Sequence, residues 1–258
     1  MRSKILFLAI LIAGFMTLPQ VAYAQLSKDL RNTVTLEFSK ANEQYKRGEF
    51  AQAAETYEAI LGRGVASGAV YFNLGNSYYK IGKLGKALVN YERAQRLLPR
   101  DADVHFNQRY AHQKIAGTTP PLSMNFIDRL LLGHINFYSV NEMTAIIFIL
   151  LIAWGGIFNL AFHFQWNRQS RFILLLIILF LVTIFSAGLI AKIAQDTDQA
   201  IVIQKAPANF EPRPESTIHY QMPEGVKVKV LKIENGWAKI QRGDGKLGWV
   251  RIENLEMI

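Results

Sequence analysis

The feature that most constrains this chain is an apolar run from Phe172 to Ile190, nineteen residues without a charged side chain. A helix of that length spans the hydrocarbon layer of a bilayer at about 1.5 Å per residue. A second run, Ala145 to Phe162, is apolar or small except for Asn159. The two runs predict a transmembrane helical hairpin, with membrane helices at residues 143–164 and 172–193.

A pair of glycines, Gly155 and Gly156, lies in the first of these runs, close to Asn159. Glycine in a membrane helix is typical of close helix packing. A polar side chain at membrane depth is expected to face protein, because lipid offers it no hydrogen bond. We therefore expect the glycine pair at the helix contact and Asn159 directed at the second helix.

The sidedness of the hairpin follows from the basic residues near the helix ends. The short connector, residues 165–171, carries Arg168 and Arg171. The opposite ends carry Glu142 before the first helix and Lys192, followed by two aspartates, after the second. The connector is therefore predicted to be cytoplasmic, and the regions on both sides of the hairpin are predicted to lie outside.

The N-terminal stretch MRSKILFLAILIAGFMTLPQVAYAQ has the form of a secretory signal peptide, predicted at residues 1–24. Arg2 and Lys4 precede an apolar stretch, and Ala22-Tyr23-Ala24 fits an A-x-A cleavage site. The alternative is an uncleaved anchor. Either outcome leaves the two large polar regions outside, because an anchor with its basic end inside would restore the same orientation.

Composition argues against several classes of function. The chain has no cysteine, which excludes disulfides and thiolate metal sites. The formal net charge is +9, but the basic residues are scattered, and nucleic-acid binding needs clustered cations. The five histidines lack metal-ligand spacing, and no phosphate-binding or serine-nucleophile motif occurs. We expect no enzyme, no metal and no cofactor.

Residues 34–101 repeat with a period of 34, so that Gly48 recurs as Gly82. The second copy, GAVYFNLGNSYYKIGKLGKALVNYERAQRLLPR, resembles a tetratricopeptide repeat (TPR). Gly75 and Ala87 are expected to let its two helices approach closely, and Gly82 is expected to end the first helix. The resemblance implies an all-α TPR superhelix.

Asp101 is a candidate N-cap for a further helix from about Ala102 to Ile115, which would close the stack. The predicted helical domain, two TPR repeats plus a capping helix, therefore covers residues 34–115. The next segment, residues 116–141, begins with prolines that favour an extended connector. Its later part suits either a helix at the outer membrane interface or a plain linker.

The TPR resemblance implies a concave peptide-binding groove built from the first helix of each repeat. Equivalent positions of the two copies supply the predicted protein-binding residues: Phe38, Asn42, Tyr45, Lys46, Phe72, Asn76, Tyr79 and Lys80. Some family members hold a C-terminal carboxylate there with lysine and asparagine. Because phenylalanine occupies a position that such a site would give to lysine, an apolar or aromatic-anchored peptide is expected. The alternative is that the two phenylalanines belong to the core.

From residue 199 onward the pattern changes to short strands with valine at alternate positions in VKVKVLKI. Asn235-Gly236 and the glycines of GDG supply turns. Five such strands predict a small all-β barrel at residues 199–258. Glu224-Gly225, Gly236-Trp237 and DGKLGWV resemble a bacterial SH3 domain. Trp237 and Trp249 are predicted to lie at its surface, with a place in the core as the alternative.

The complete order of signal, TPR pair, membrane hairpin and SH3-like domain resembles the BatE-type proteins of bacterial aerotolerance operons. The resemblance implies a non-enzymatic protein of the inner membrane whose domains face the periplasm. It further implies partnership with membrane-anchored von Willebrand A-domain proteins and a cytosolic MoxR-type ATPase in stress tolerance. The alternative is a cell-wall anchor whose SH3-like domain binds peptidoglycan while the TPR recruits a periplasmic protein.

Overall fold

The computed structural model describes residues 28–115, 136–163, 167–196 and 198–258. The predicted signal peptide and most of the predicted linker lie outside these ranges. The chain divides into two compact units, Met1–Val65 and Ala66–Ile258. The first contains a helical hairpin, and the second contains three further short helices, two long apolar helices and an antiparallel sheet.

The hairpin of the first unit consists of α1, residues 28–46, and α2, Phe50–Gly62. Gly48 lies between them at φ +80°, a conformation that glycine adopts without a steric penalty. Ala41, Ala53 and Tyr57 are buried in the hairpin. The helices are also joined at the surface, where Arg63 Nη2 lies 2.6 Å from Glu37 Oε1.

The second unit begins with α3, Gly68–Lys80, and α4, Leu84–Leu97. Gly82, at φ +79°, follows α3 and confirms the predicted helix end. The predicted close approach is also confirmed. A Cβ on Gly75 would lie 2.7 Å from the Tyr91 ring and 3.3 Å from the Ala87 carbonyl oxygen.

The predicted capping helix is present as α5, Ala102–Lys114. Asp101 caps it, since its carboxylate accepts hydrogen bonds from the backbone N–H of Asp103 at 3.0 Å and of Val104 at 3.1 Å. These bonds satisfy donors that the first turn of a helix leaves unpaired. The sequence prediction of this N-cap is confirmed.

The two long helices are α6, Val140–His163, and α7, Arg168–Asp196. By length and composition, each contains a segment that could cross a membrane, Val140–Leu160 in α6 and Arg168–Ala194 in α7. Their apolar side chains point largely outward, and Ile152 is 74% exposed. Such a surface suits lipid and not water.

The expected helix contact at the glycine pair is wrong. Nothing that the structure describes lies within 4 Å of a Cβ built on Gly155 or Gly156. Asn159 is exposed. A contact between the helices lies at the other end of α6, where Tyr138, just before α6, packs its ring 5.9 Å from that of Phe185 of α7.

The C-terminal region forms one seven-stranded antiparallel sheet in the order β3-β2-β6-β5-β4-β1-β7. Its strands are β1 Gln199–Val202, β2 Ala206–Asn209, β3 Ile218–Met222, β4 Lys227–Glu234, β5 Trp237–Arg242, β6 Leu247–Arg251 and β7 Leu255–Met257. A 3₁₀ turn, Ile252–Asn254, precedes β7. All seven strands contribute to one buried cluster that includes Val202, Met222 and Ile240.

The sheet differs from the prediction in two respects. It has seven strands where five were expected, and its end strands β3 and β7 are not paired with each other, so the sheet is not closed. The sheet also accommodates a proline, Pro207, in β2. It is tolerated because β2 pairs with β6 only at Asn209, so the missing N–H of Pro207 removes no bond there.

The predicted turn between β4 and β5 is confirmed. Asn235 and Gly236 have φ of +48° and +78°. Positive φ at both central residues is the type I′ geometry that matches the twist of a two-residue hairpin. The turn fixes the register in which Glu234 pairs with Trp237.

Candidate functional site

In the first unit, the predicted groove residues lie along α1. Phe38 packs edge-on against Tyr57, with ring centroids 5.9 Å apart. Asn42 Oδ1 accepts a hydrogen bond of 2.6 Å from Tyr57 Oη. Tyr45 packs against Phe50, and burial raises the pKa of its phenol. Lys46 is exposed.

The equivalent residues of the second repeat lie along α3. Phe72 is half-buried, 6.2 Å from the Tyr91 ring. Asn76 Oδ1 accepts hydrogen bonds of 2.8 Å from both Tyr91 Oη and Asn107 Nδ2. The asparagine at this position therefore bonds to the tyrosine of the second helix in both repeats, and in the second repeat it also joins α3 to α5.

We expect Asn76→Ala to lower the free energy of unfolding by about 1–3 kcal/mol, because two donors lose their acceptor in a partly buried place. Thermal or urea unfolding of the purified protein measures the loss. Lys80→Ala, on the exposed end of the same helix, is the control and should change stability by less than about 0.5 kcal/mol. Equal stability of the two variants would contradict a structural role for Asn76.

The capping helix contributes aromatic residues that are not among the predicted groove residues. Phe106 and Tyr110 lie on α5 with parallel rings 6.2 Å apart. Tyr110 lies 5.8 Å from Tyr79 of α3. The repeat period of the sequence indicates these residues, because Phe106 and Lys114 follow Phe72 and Lys80 by 34 residues. The capping helix therefore continues the repeat pattern.

We call the surface formed by Phe72, Tyr79, Phe106 and Tyr110 the aromatic face. Phe106 is 59% exposed and Tyr110 is 48% exposed, which is a large apolar area for side chains on a helix surface. Lys114 closes one end, with Nζ 4.8 Å from the Tyr79 ring centroid and 5.9 Å from that of Tyr110. The face offers flat apolar contact beside a positive charge.

In the sheet, the two predicted surface tryptophans have different environments. Trp237 is 6% exposed, so the core alternative applies to it, and the Arg251 guanidinium covers its ring at 4.8 Å. Trp249 is half-buried on β6. A more exposed group lies near the edge strand β3, where Phe210 stacks on His219 with centroids 4.3 Å apart.

The sheet docks on helix α4 of the second repeat, and two glycines make the closest approach. A Cβ on Gly85 would lie 2.7 Å from Ile203 Cα and 2.8 Å from the Val202 carbonyl oxygen. Across the same contact, a Cβ on Gly225 would overlap the Ile115 side chain and lie 2.9 Å from a side-chain carbon of Leu88. The two modules are therefore in backbone contact at Gly85 and in side-chain contact at Gly225, with no space left at either glycine.

Glu224 of the sheet caps helix α4 from outside. Its Oε1 accepts a hydrogen bond of 2.6 Å from the backbone N–H of Gly85. The residue in the N-cap position, Lys83, makes no capping bond with its own side chain. A carboxylate at a helix N-terminus also meets the positive end of the helix dipole. The sheet thus supplies a cap that the helix sequence lacks.

Two ion pairs border this contact. Lys227 Nζ lies 2.9 Å from Glu92 Oε2, and Glu92 is largely covered. Arg93 Nη1 donates to Glu256 Oε1 at 2.7 Å, and its Nη2 donates to the carbonyl oxygen of Met257 at 2.6 Å. Arg93 thus bonds to two residues of β7, an end strand of the sheet. Both pairs place a cation and an anion on opposite modules, which fixes their register.

The free energy of unfolding is expected to decrease as the pH falls, because His112 of α5 is partly buried near this contact. Burial lowers the pKa of its imidazole, nearby Glu92 opposes that shift, and Lys227 reinforces it. The imidazole is therefore harder to protonate in the folded state than in the unfolded state. Its contribution to the free energy of unfolding is complete above the ordinary pKa of 6.5 and is lost as the pH falls below that value.

Thermal unfolding between about pH 7.5 and pH 5 checks this expectation. The melting temperature should fall over that range in the wild-type protein and fall less in His112→Gln, which cannot take up the proton. Gln113→Ala, at an exposed position of the same helix with no titratable group, is the control and should keep the wild-type pH profile. Identical pH profiles for the wild type and His112→Gln would contradict the expectation.

The second repeat is also joined to the apolar helices. Arg100, at the corner between α4 and α5, forms an ion pair with Glu142 of α6 and donates to the Phe137 carbonyl oxygen at 3.1 Å. Lys192 of α7 is buried and donates to the Tyr138 carbonyl oxygen at 2.5 Å. The start of α6 is therefore bonded on one side to the repeat and on the other to α7.

Among the described ranges, no group of three or more acidic, histidine or cysteine side chains is placed to hold a metal ion. The side chains grouped at the aromatic face and at the docked sheet make ring contacts, hydrogen bonds and ion pairs.

Comparisons with known proteins identify both modules. A family model described as "Tetratricopeptide repeat" matches residues 68–101, which contain α3 and α4. A second, described as "Bacterial SH3 domain", matches residues 210–256, which begin just after β2 and end within β7. A search of curated proteins finds no match to the chain. The chain therefore carries a tetratricopeptide repeat and a bacterial SH3 domain, together with two helices apolar enough to cross a membrane.

Proposed function

We propose that this protein is a non-enzymatic adaptor of the bacterial inner membrane that presents a TPR surface and an SH3-like domain to the periplasm. The observation that carries the proposal is the aromatic face, where Phe106 is 59% exposed and Tyr110 is 48% exposed. Exposed aromatic side chains on a rigid helical scaffold favour protein binding, because they supply large contact areas at low entropic cost.

The two modules act as one unit in this proposal. The capping of Gly85 by Glu224 and the ion pairs of Glu92 and Arg93 support it, since they span the contact between helix and sheet. Coupled modules present a bound partner in a fixed orientation. That property suits an adaptor in a larger assembly better than it suits two independent ligand traps.

Attachment to the membrane is the second part of the proposal. The contacts of Arg100 and Lys192 with residues 137–142 support a fixed position of the repeat above the outer ends of the two apolar helices. The predicted cytoplasmic connector is short. A cytosolic ATPase would therefore reach this protein through other membrane proteins, and the binding surfaces would lie outside.

The proposed partners are membrane-anchored von Willebrand A-domain proteins of a Bat-type aerotolerance complex. This part rests on the resemblance of the domain order. Crosslinking in intact cells, with a photoreactive amino acid at position 106 or 110, identifies the partner directly. Recovery of a membrane-anchored A-domain protein is expected. As a control, the same photoreactive amino acid at the exposed position 246 of the sheet should not give this product.

A reporter fused after Ile258 tests the orientation and should be active only outside the cytoplasm. Binding of the purified protein to isolated cell-wall sacculi tests the rival function, a cell-wall anchor. Retention on sacculi, together with absence of any A-domain crosslink, would replace the adaptor proposal with the anchor. The cluster of Phe210 and His219 near strand β3 would then be the first surface to mutate.

A further inference from the structure

The aromatic face has a direction, with apolar rings at one end and positive charge at the other. Phe106 and Tyr110 form the apolar end, and their rings are stacked within 6° of parallel. Lys114 lies one helical turn beyond Tyr110, with Nζ above the Tyr79 ring. Lys80 occupies the equivalent position on α3, 34 residues earlier in the chain.

The charge at the Lys114 end of the face is positive. Helix α3, residues 68–80, contains no aspartate or glutamate, and neither do residues 104–114 of α5. The acidic residues of this region, the cap residue Asp101 and Asp103 in the first turn of α5, lie toward the Phe106 end. A ligand that crosses the face from Phe106 toward Lys114 therefore moves away from these carboxylates and toward a positive charge.

We propose that the aromatic face binds an extended acidic segment of a partner protein, in which an apolar or aromatic anchor is followed or preceded by a carboxylate. The anchor would stack on Phe106 and Tyr110, and the carboxylate would pair with Lys114. This inference rests on the proposed adaptor function and specifies the chemistry of the partner.

The spacing within that segment follows from the geometry of the helix. Phe106 and Lys114 are eight residues apart, about 12 Å along the axis at 1.5 Å per residue. An extended peptide advances about 3.3 Å per residue, so the anchor and the carboxylate should be separated by about three to four residues.

An internal acidic side chain fits the face better than a terminal carboxylate. A terminal carboxylate site of the TPR type would place a lysine on α3 near Asn76, whose Oδ1 accepts hydrogen bonds from Tyr91 and Asn107 and whose Nδ2 is the group that could donate to a ligand. Phe72 occupies the neighbouring position on α3, and its ring packs on Tyr91. The cation of the face, Lys114, lies instead at its far end.

Selection from a random peptide library, with the purified full-length protein in detergent micelles as bait, tests the inference. We expect the selected peptides to combine an aromatic or large aliphatic residue with aspartate or glutamate at the stated spacing. In fluorescence polarisation, replacing that acidic residue by its amide should weaken binding about tenfold or more, as for a charge-assisted contact.

A charge exchange provides the sharper test. Lys114→Glu should weaken the affinity for the acidic peptide about tenfold or more. It should bind more tightly than the wild type to a version of the peptide with lysine in place of the acidic residue. Lys246→Glu, an exposed lysine on the sheet, should leave binding unchanged. Lys114→Gln, which only removes the charge, should have an affinity for the acidic peptide between those of Lys114→Glu and Lys246→Glu. Circular dichroism establishes that each variant is folded.

Two results would overturn the inference in different ways. Peptides that depend on Phe106 and Tyr110 but show no acidic preference would refute the proposed chemistry and leave the adaptor function standing. Failure to select any peptide that depends on the aromatic face would refute both. Selection of acidic peptides with free C-termini only would also contradict the inference, because it would assign the charge to a terminal carboxylate.

Discussion

Replacing Gly85 with alanine should separate the SH3 domain from the TPR repeat. The added methyl group would lie 2.7 Å from Ile203 Cα and 2.8 Å from the Val202 carbonyl oxygen. Both obstacles are backbone atoms, which cannot turn aside as the end of a side chain can. Overpacking of this kind costs about 1–3 kcal/mol. The ratio of docked to undocked protein should therefore fall by about five- to 150-fold.

Because the chain has no cysteine, a pair of introduced thiols reports docking specifically. Glu92→Cys with Lys227→Cys places one thiol on each side of the contact, where the native side chains are 2.9 Å apart. A short bis-maleimide reagent should link them quickly in the parent and slowly with Gly85→Ala added. Gly243→Ala is the control, since nothing described lies within 4 Å of its added methyl group. Equal crosslinking rates in all three proteins would show that the close approach at Gly85 is wrong.

Replacing Gly75 with valine should unfold the second repeat. The first added atom would lie 2.7 Å from the Tyr91 ring and 3.3 Å from the Ala87 carbonyl oxygen, and the two further methyl groups of valine would need still more space. Tyr91 is 1% exposed and bonded to Asn76, so it has no alternative position. We expect a loss of about 3 kcal/mol or more, a large part of the stability of a small domain.

Urea unfolding followed by circular dichroism measures that loss. The control is Gly62→Ala, at the end of α2, where nothing described lies within 4 Å of the new methyl group. Alanine favours a helix over glycine, so this variant should be unchanged or slightly more stable. A Gly75→Val protein as stable as the parent would mean that α3 and α4 are farther apart than the structure places them.

Much of the second repeat could be predicted from its resemblance to a TPR. That signature locates Gly75, Ala87 and Gly82, whose roles depend on near neighbours in the same hairpin. The cap of α5 is equally local, since Asp101 bonds to residues two and three positions later. Contacts within one hairpin or one turn repeat with the motif, so the motif reveals them.

Long-range contacts have no such signal. Gly85 and Glu224 are 139 positions apart, and nothing in either neighbourhood indicates that they meet. The role of Asn76 was not apparent either, because the same residue type suits a ligand contact or an internal hydrogen bond. The glycine pair of α6 misled for the opposite reason: small residues permit a close helix contact but do not require one.

The docked contact also limits how the sequence can drift. At its two closest points the side chain is already a single hydrogen atom, so every substitution at Gly85 or Gly225 adds volume where a neighbour lies within 3 Å. Single mutations there can only loosen the joint. Tighter association has to come from the periphery, through residues such as Glu92 and Arg93. A single substitution at either glycine is expected to weaken the attachment of the SH3 domain, whereas a substitution that strengthens it has to lie at the rim.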